Sequence, residues 1–161
     1  MSGAPDELAD YRAPAARALV LMHEVQLREF IDTWRRARDG GLVLPEVEDP
    51  DYASLDRLLL HMVGAARFYV TWTCERLGLD APTIDAPPEV FADDATLDAY
   101  VDVLLAAWRA ALATADPRSM EAESWTAPWG APFTADAMLE HAVLHPMRHA
   151  FQLEELMARA R

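Results

Sequence analysis

The chain has 161 residues, 52% hydrophobic and 25% charged, with 27 acidic against 14 basic side chains and a formal net charge of -13. That length and balance suit one globular domain with a sizeable core, and the negative field argues against nucleic acid or an anionic membrane surface as a partner. A lone cysteine, Cys74, excludes an internal disulfide and fits a reducing compartment.

No basic-led apolar segment opens the chain, and no apolar run approaches the ~18 residues of a membrane span. The expectation is a cytoplasmic protein whose metal, if any, is held by histidine or carboxylate. All 14 basic residues are arginine, which reflects composition bias more than function.

Four segments carry helical periodicity, and none alternates as a strand would. Residues 1–13 read as an N-terminal extension. The first helix is predicted over 14–38, with Pro14 in its first turn and Gly40–Gly41 as its stop. The second is predicted over 54–77 and ends at Gly78. The third is predicted over 94–115, entered through Asp93–Asp94 and closed before Pro117. The fourth is predicted over 135–160, with Thr134 as N-cap and Asp136 near the positive end of the helix dipole. The connections between them contain proline and are longer than the ~2–8 residues usual in bundles, so they are functional or cross between non-adjacent helices. The expected fold is all-α, a single four-helix bundle with long crossover loops.

Three of five histidines, His141, His145 and His149, recur every four residues on the fourth helix. At about 100° per residue, His149 lies about 40° from His145, within an arc shared with Met138, Ala142, Leu153 and Leu156. His141 falls about 40° to the other side, toward Arg148 and Arg159, and belongs to the edge. On the second helix, His61 shares a face with Leu58, Ala65, Tyr69 and Trp72, opposite Asp56, Arg67 and Thr71. His23 shares a stripe with Leu27, Phe30 and Trp34 on the first helix.

A single inward histidine is more often a core residue than a ligand, but several buried imidazoles are costly unless their nitrogens are satisfied. One divalent ion satisfies a nitrogen on each of His61, His145 and His149 and keeps positions open for water or substrate. A di-iron bundle would need Glu-x-x-His pairs, and no glutamate here has a histidine three residues on. The start His23-Glu24 fails as a zincin motif because Leu27 stands where the second histidine is required. No phosphate-binding glycine loop and no Gly-x-Ser-x-Gly elbow is present. Cys74 reads as unreactive, on the polar-leaning side of the second helix.

The stretch "WTAPWGAPFTADAMLEHAVLHPMRHAFQ" joins an aromatic Pro-Trp-Gly loop to a helix with His-x-x-x-His followed by glutamine. With one histidine in an apolar second helix, this resembles the DinB/YfiT-like superfamily of metal-dependent enzymes over the four-helix layout. The resemblance implies His61, His145 and His149 as metal ligands, with Gln152 at the motif's glutamine. It implies one divalent ion, Zn or Ni foremost, and, where activities are assigned, a low-molecular-weight thiol cosubstrate transferred to a small electrophile. Ala150-Phe151 stands where the family commonly has Arg-Gly, and Pro146 interrupts the hydrogen-bond ladder between the two ligands, a change that can cost ~3 kcal/mol in mid-helix.

Tyr69, Trp72, Trp125, Trp129 and Gln152 are candidates to wall a substrate pocket; ordinary packing is as good an account of each one singly. No carboxylate stands out as a general base, Glu140 pointing outward and Glu24 merely following His23, so the catalytic residues stay unassigned. The expected partner is a small molecule, and Leu144 with Phe151 forms an outward apolar patch suited to a homodimer. Two rival functions remain: a metal-dependent hydrolase, and a non-catalytic metal-binding protein whose site is closed by a fourth ligand, for which His23 is the remaining inward histidine.

Overall fold

A computed structural model of the chain describes residues 10–160, so most of the N-terminal extension lies outside the described residues. Four helices dominate: α1 (Pro14–Asp39), α2 (Leu55–Leu77), α3 (Asp94–Ala111) and α4 (Ala135–Arg159). Their ends follow local chemistry. Pro14 opens α1, and Ser54 caps α2 by accepting the Arg57 backbone N–H at 3.1 Å. Gly78 closes α2 at φ 66°, a left-handed conformation that glycine adopts without a Cβ penalty. Asp93 accepts the Thr96 N–H at 2.8 Å ahead of α3, and Thr134 caps α4.

Two features depart from the sequence expectation. The third helix ends at Ala111 rather than near 115, because Leu112 leaves helical geometry and the Ala113 carbonyl accepts the Arg12 N–H at 3.0 Å. Leu112 and Ala115 are nonetheless fully buried, so the apolar pattern outruns the helix. The last connection also holds a small antiparallel hairpin, β1 (Trp125–Thr126) with β2 (Pro132–Phe133), turned at Gly130 with φ 87°.

Helix α4 packs along α1 and α2, whereas α3 leans on α1 and α2 and stays off α4. The 112–134 connection therefore has to cross the bundle, which accounts for its length. Arg28, Arg35 and Arg38 of α1 reach Asp102, Asp98 and Asp94 of α3 at 2.9, 2.7 and 2.6 Å. Each exposed pair is worth about 0–1 kcal/mol, but together they offset acidic repulsion where α3 meets α1. Glu24 takes the Arg109 guanidinium in a half-buried bidentate pair. Leu144 and Phe151 are 58% and 64% exposed on the outer face of α4. No helix among the described residues is long and apolar enough to cross a membrane.

Cys74 is fully buried rather than polar-facing. Helix α2 is covered on more than one side, since Arg67 ties the 79–93 connection back at the Ile84 carbonyl. Burial pushes the thiol up to about 11, with Glu75 adding to the shift.

His23 is buried on α1, its ring stacked on Trp108 with centroids 3.9 Å apart. Burial lowers its pKa to about 3. The folded state thus keeps His23 neutral while the unfolded chain takes up a proton below pH ~6.5, so its contribution is intact above that pH and is lost as pH falls toward 3. Chemical denaturation of the metal-free protein at pH 7 and pH 5 should show His23→Leu losing about 2 kcal/mol less stability over that interval than wild type. Equal losses would show that the ring titrates in the fold as it does in water.

Candidate metal centre

Because α2 and α4 lie side by side, the second turn of α2 brings His61 against the middle of α4. The ring centroids of His61 and His145 are 4.9 Å apart, those of His145 and His149 also 4.9 Å, and those of His61 and His149 5.8 Å. One ring nitrogen from each of the three lies within 4.8 Å of the others, close enough to hold a metal ion. His145 and His149 are buried and His61 is half-buried. Helix α4 runs unbroken through Pro146, whose ring is buried between the two histidines.

Each imidazole has its Nδ1 tied from a different place. His61 Nδ1 meets the Asp51 carboxylate at 3.0 Å, His145 Nδ1 meets the Tyr69 hydroxyl at 2.8 Å, and His149 Nδ1 meets Gln152 Oε1 at 2.8 Å. Asp51 belongs to a single 3-10 turn, Pro50–Tyr52, capped by Asp49, which accepts the Asp51 N–H at 3.0 Å. With Nδ1 occupied on all three rings, Nε2 is the nitrogen left to converge. This is the outer-shell arrangement that fixes orientation and tautomer in histidine metal sites.

The Nε2 atoms of His61 and His145 are 3.1 Å apart. Two donors of a tetrahedral zinc ion, each ~2.0–2.1 Å from the metal, sit ~3.3 Å apart. With Asp51 holding the His61 proton on Nδ1 and both rings neutral, the 3.1 Å contact has one proton, on His145 Nε2, and Tyr69 then donates to His145 Nδ1. An ion requires that nitrogen bare, which moves the proton to Nδ1 and turns Tyr69 into an acceptor. The donor set suits a divalent cation. Burial, with the neighbouring His149, His61 and Arg148 adding to it, lowers His145 to about 2, and burial lowers His149 to about 4 against the opposing pull of Gln152. Both rings are neutral at physiological pH, as ligands must be.

His23 stands apart from the trio, whereas His141 adjoins it, its ring 5.8 Å from that of His145, without joining the three. His141 is half-buried and stacks on Trp129 at 5.7 Å, and its pKa is lowered by burial and then by Arg148. His23 is engaged with Trp108 on α1. Among the described residues no fourth histidine, cysteine or carboxylate joins the cluster. A bound ion would therefore keep positions open for solvent or substrate.

The proposed pocket residues separate into three groups. A cavity of about 520 Å³ opens on His61 and His145, and Tyr69, Trp129, Phe68 and His141 form part of its wall. Trp129 reaches it from the hairpin tip, packing against Phe68 at 5.9 Å and Phe133 at 5.6 Å. Tyr69 is also the residue that holds His145. Trp72 and Trp125 instead meet each other edge to face at 6.1 Å and line neither this cavity nor its neighbour. Trp72 shares a helix face with His61 but lies 11 residues on, about 16 Å along the axis. Gln152 faces a second cavity, of about 630 Å³, which holds His149 but neither of the other two histidines.

Sequence reasoning missed Asp51 and Tyr52. The Tyr52 hydroxyl is 3.4 Å from His149 Nε2, and burial raises its pKa. The one available signal was the Asp-Pro-Asp turn placed just before the Ser54 cap. Comparison of the chain with protein-family models, with curated proteins and with solved structures returns no match.

The outer shell is testable apart from the ligands. Asp51→Ala should weaken zinc binding about 10–100-fold at unchanged one-to-one stoichiometry, read by competition with a chromogenic chelator. Unchanged affinity would show that the carboxylate does not orient His61.

Proposed function

We propose that this chain is a mononuclear divalent-metal enzyme of the DinB/YfiT-like kind, transferring a low-molecular-weight thiol to a small electrophile. The observation that carries the reading is the approach of one ring nitrogen from each of three histidines to within 4.8 Å, on rings whose Nδ1 partners are all in place, with no fourth protein donor among the described residues. A divalent ion held by three neutral imidazoles keeps its full charge and supplies Lewis acidity, promoting ionisation of a thiol or water beside it.

The chain's own groups fit thiol transfer. Its single cysteine is buried with a raised pKa, so the thiol has to come from outside. No carboxylate lines the cavity on the His61 side, and a thiol, once ionised, needs no general base at the moment of attack. His141, neutral and facing the cavity, accepts the thiol proton and passes it to solvent. The Tyr52 hydroxyl, held protonated by its raised pKa, donates a hydrogen bond to the departing group. Phe68 and Trp129 hold the electrophile and exclude water. The new C–S bond replaces the bond to a leaving anion. Hydrolysis is the second reading, favoured by the same His141 acting as base on water.

Zinc-loaded protein incubated with bacillithiol, mycothiol or glutathione and 1-chloro-2,4-dinitrobenzene should form thioether and release chloride at a rate lost on chelation and in His145→Ala. No metal-dependent consumption of any of the three thiols would overturn the transferase reading and leave hydrolysis.

A further inference from the structure

Most arginines of this chain end on an acid. Arg28, Arg35, Arg36 and Arg38 each reach a carboxylate on another helix, and Arg109 closes on Glu24. Arg148 does not: among the described residues its guanidinium makes no ion pair and no hydrogen bond. It is exposed, three residues after His145 and one before His149, and it lines both cavities at the metal centre.

Among the described residues no carboxylate pairs with it. No carboxylate among them lines the smaller cavity. The larger has two, neither paired with Arg148: Asp49 caps the 3-10 turn, and Glu155 lies 3.8 Å from Arg159. Asp51 is behind His61. On a molecule with net charge -13, the smaller cavity thus carries Arg148 and no acidic side chain among its described lining residues, and a divalent ion would add to that positive charge. A planar guanidinium fork matches a carboxylate, donating two parallel hydrogen bonds to its oxygens. The adjoining wall is apolar and aromatic, Phe68 and Trp129 set edge to face at 60° so that each offers a ring face or edge to a planar group.

We propose that the substrate is a small carboxylate with a flat, unsaturated or aromatic body, and that Arg148 determines this specificity by binding the carboxylate while the body lies against Phe68 and Trp129. The inference deepens the metal-enzyme reading and rests on it for the chemistry. Recognition itself uses Arg148 and the aromatic wall.

The test is calorimetric titration of benzoate and of its neutral counterpart benzamide into zinc-loaded and chelator-treated protein. Wild type should bind benzoate at least about five-fold more tightly than benzamide. Arg148→Gln should weaken benzoate about five- to ten-fold, leave benzamide unchanged and keep one zinc per chain, while Arg148→Lys retains part of the preference. Arg118→Gln, the same change of charge in the exposed turn after α3, should behave as wild type. Benzoate binding that is absent from wild type, unchanged in Arg148→Gln, or equally weakened in Arg118→Gln would overturn the inference. Failure of wild type to take up zinc would overturn the metal-enzyme reading instead, and the chelated arm would still decide the role of Arg148.

Discussion

Three imidazole rings packed against one another impose the constraint on which the site depends. Two of them are buried and the third half-buried, and each buried nitrogen left unsatisfied costs on the order of 1–3 kcal/mol. The chain answers for the three Nδ1 atoms with a carboxylate from a loop, a phenol from α2 and an amide from α4. It offers less to the three Nε2 atoms. Those of His61 and His145 face each other at 3.1 Å, and that of His149 has the 3.4 Å approach of Tyr52. An arrangement complete on its outer side and short of protons on its inner side is suited to a cation.

The rest of the bundle serves this geometry. The packing of α4 along α1 and α2 fixes where His145 and His149 stand, and the ion pairs between α1 and α3 close the far side without using the site's face. The two connections that reach the centre supply what helices cannot. The 3-10 turn delivers Asp51 and Tyr52, and the hairpin brings Trp129 over the cavity. Cavity and ion site meet at Arg148, which among the described residues makes no ion pair.

The helices were legible because their apolar repeats are long and their ends carry local signals: Pro14, Ser54, Gly78, Asp93 and Thr134 all act through neighbours within a few residues. The metal trio was legible for the same reason, since an i, i+4 pair and an inward histidine can be read from helical phase alone. What phase lacks is distance along the axis, so Trp72 shares a face with His61 without reaching its cavity. Nor does phase reach into loops. Asp51 meets His61 only because the chain reverses through Asp49 and Pro50, and two-residue strands are too short to alternate. The end of α3 was misplaced because Leu112 and Ala115 stay in the core after the helix has stopped.

Three imidazoles from α2 and α4 lie close enough to hold a single divalent ion with positions left open. X-ray absorption at the zinc edge, on protein loaded with one equivalent of zinc, reads that coordination sphere. Three imidazole nitrogens at ~2.0–2.1 Å completed by light, exchangeable oxygen are expected. Two or fewer imidazoles, or a fourth protein ligand closing the coordination sphere, would contradict that arrangement.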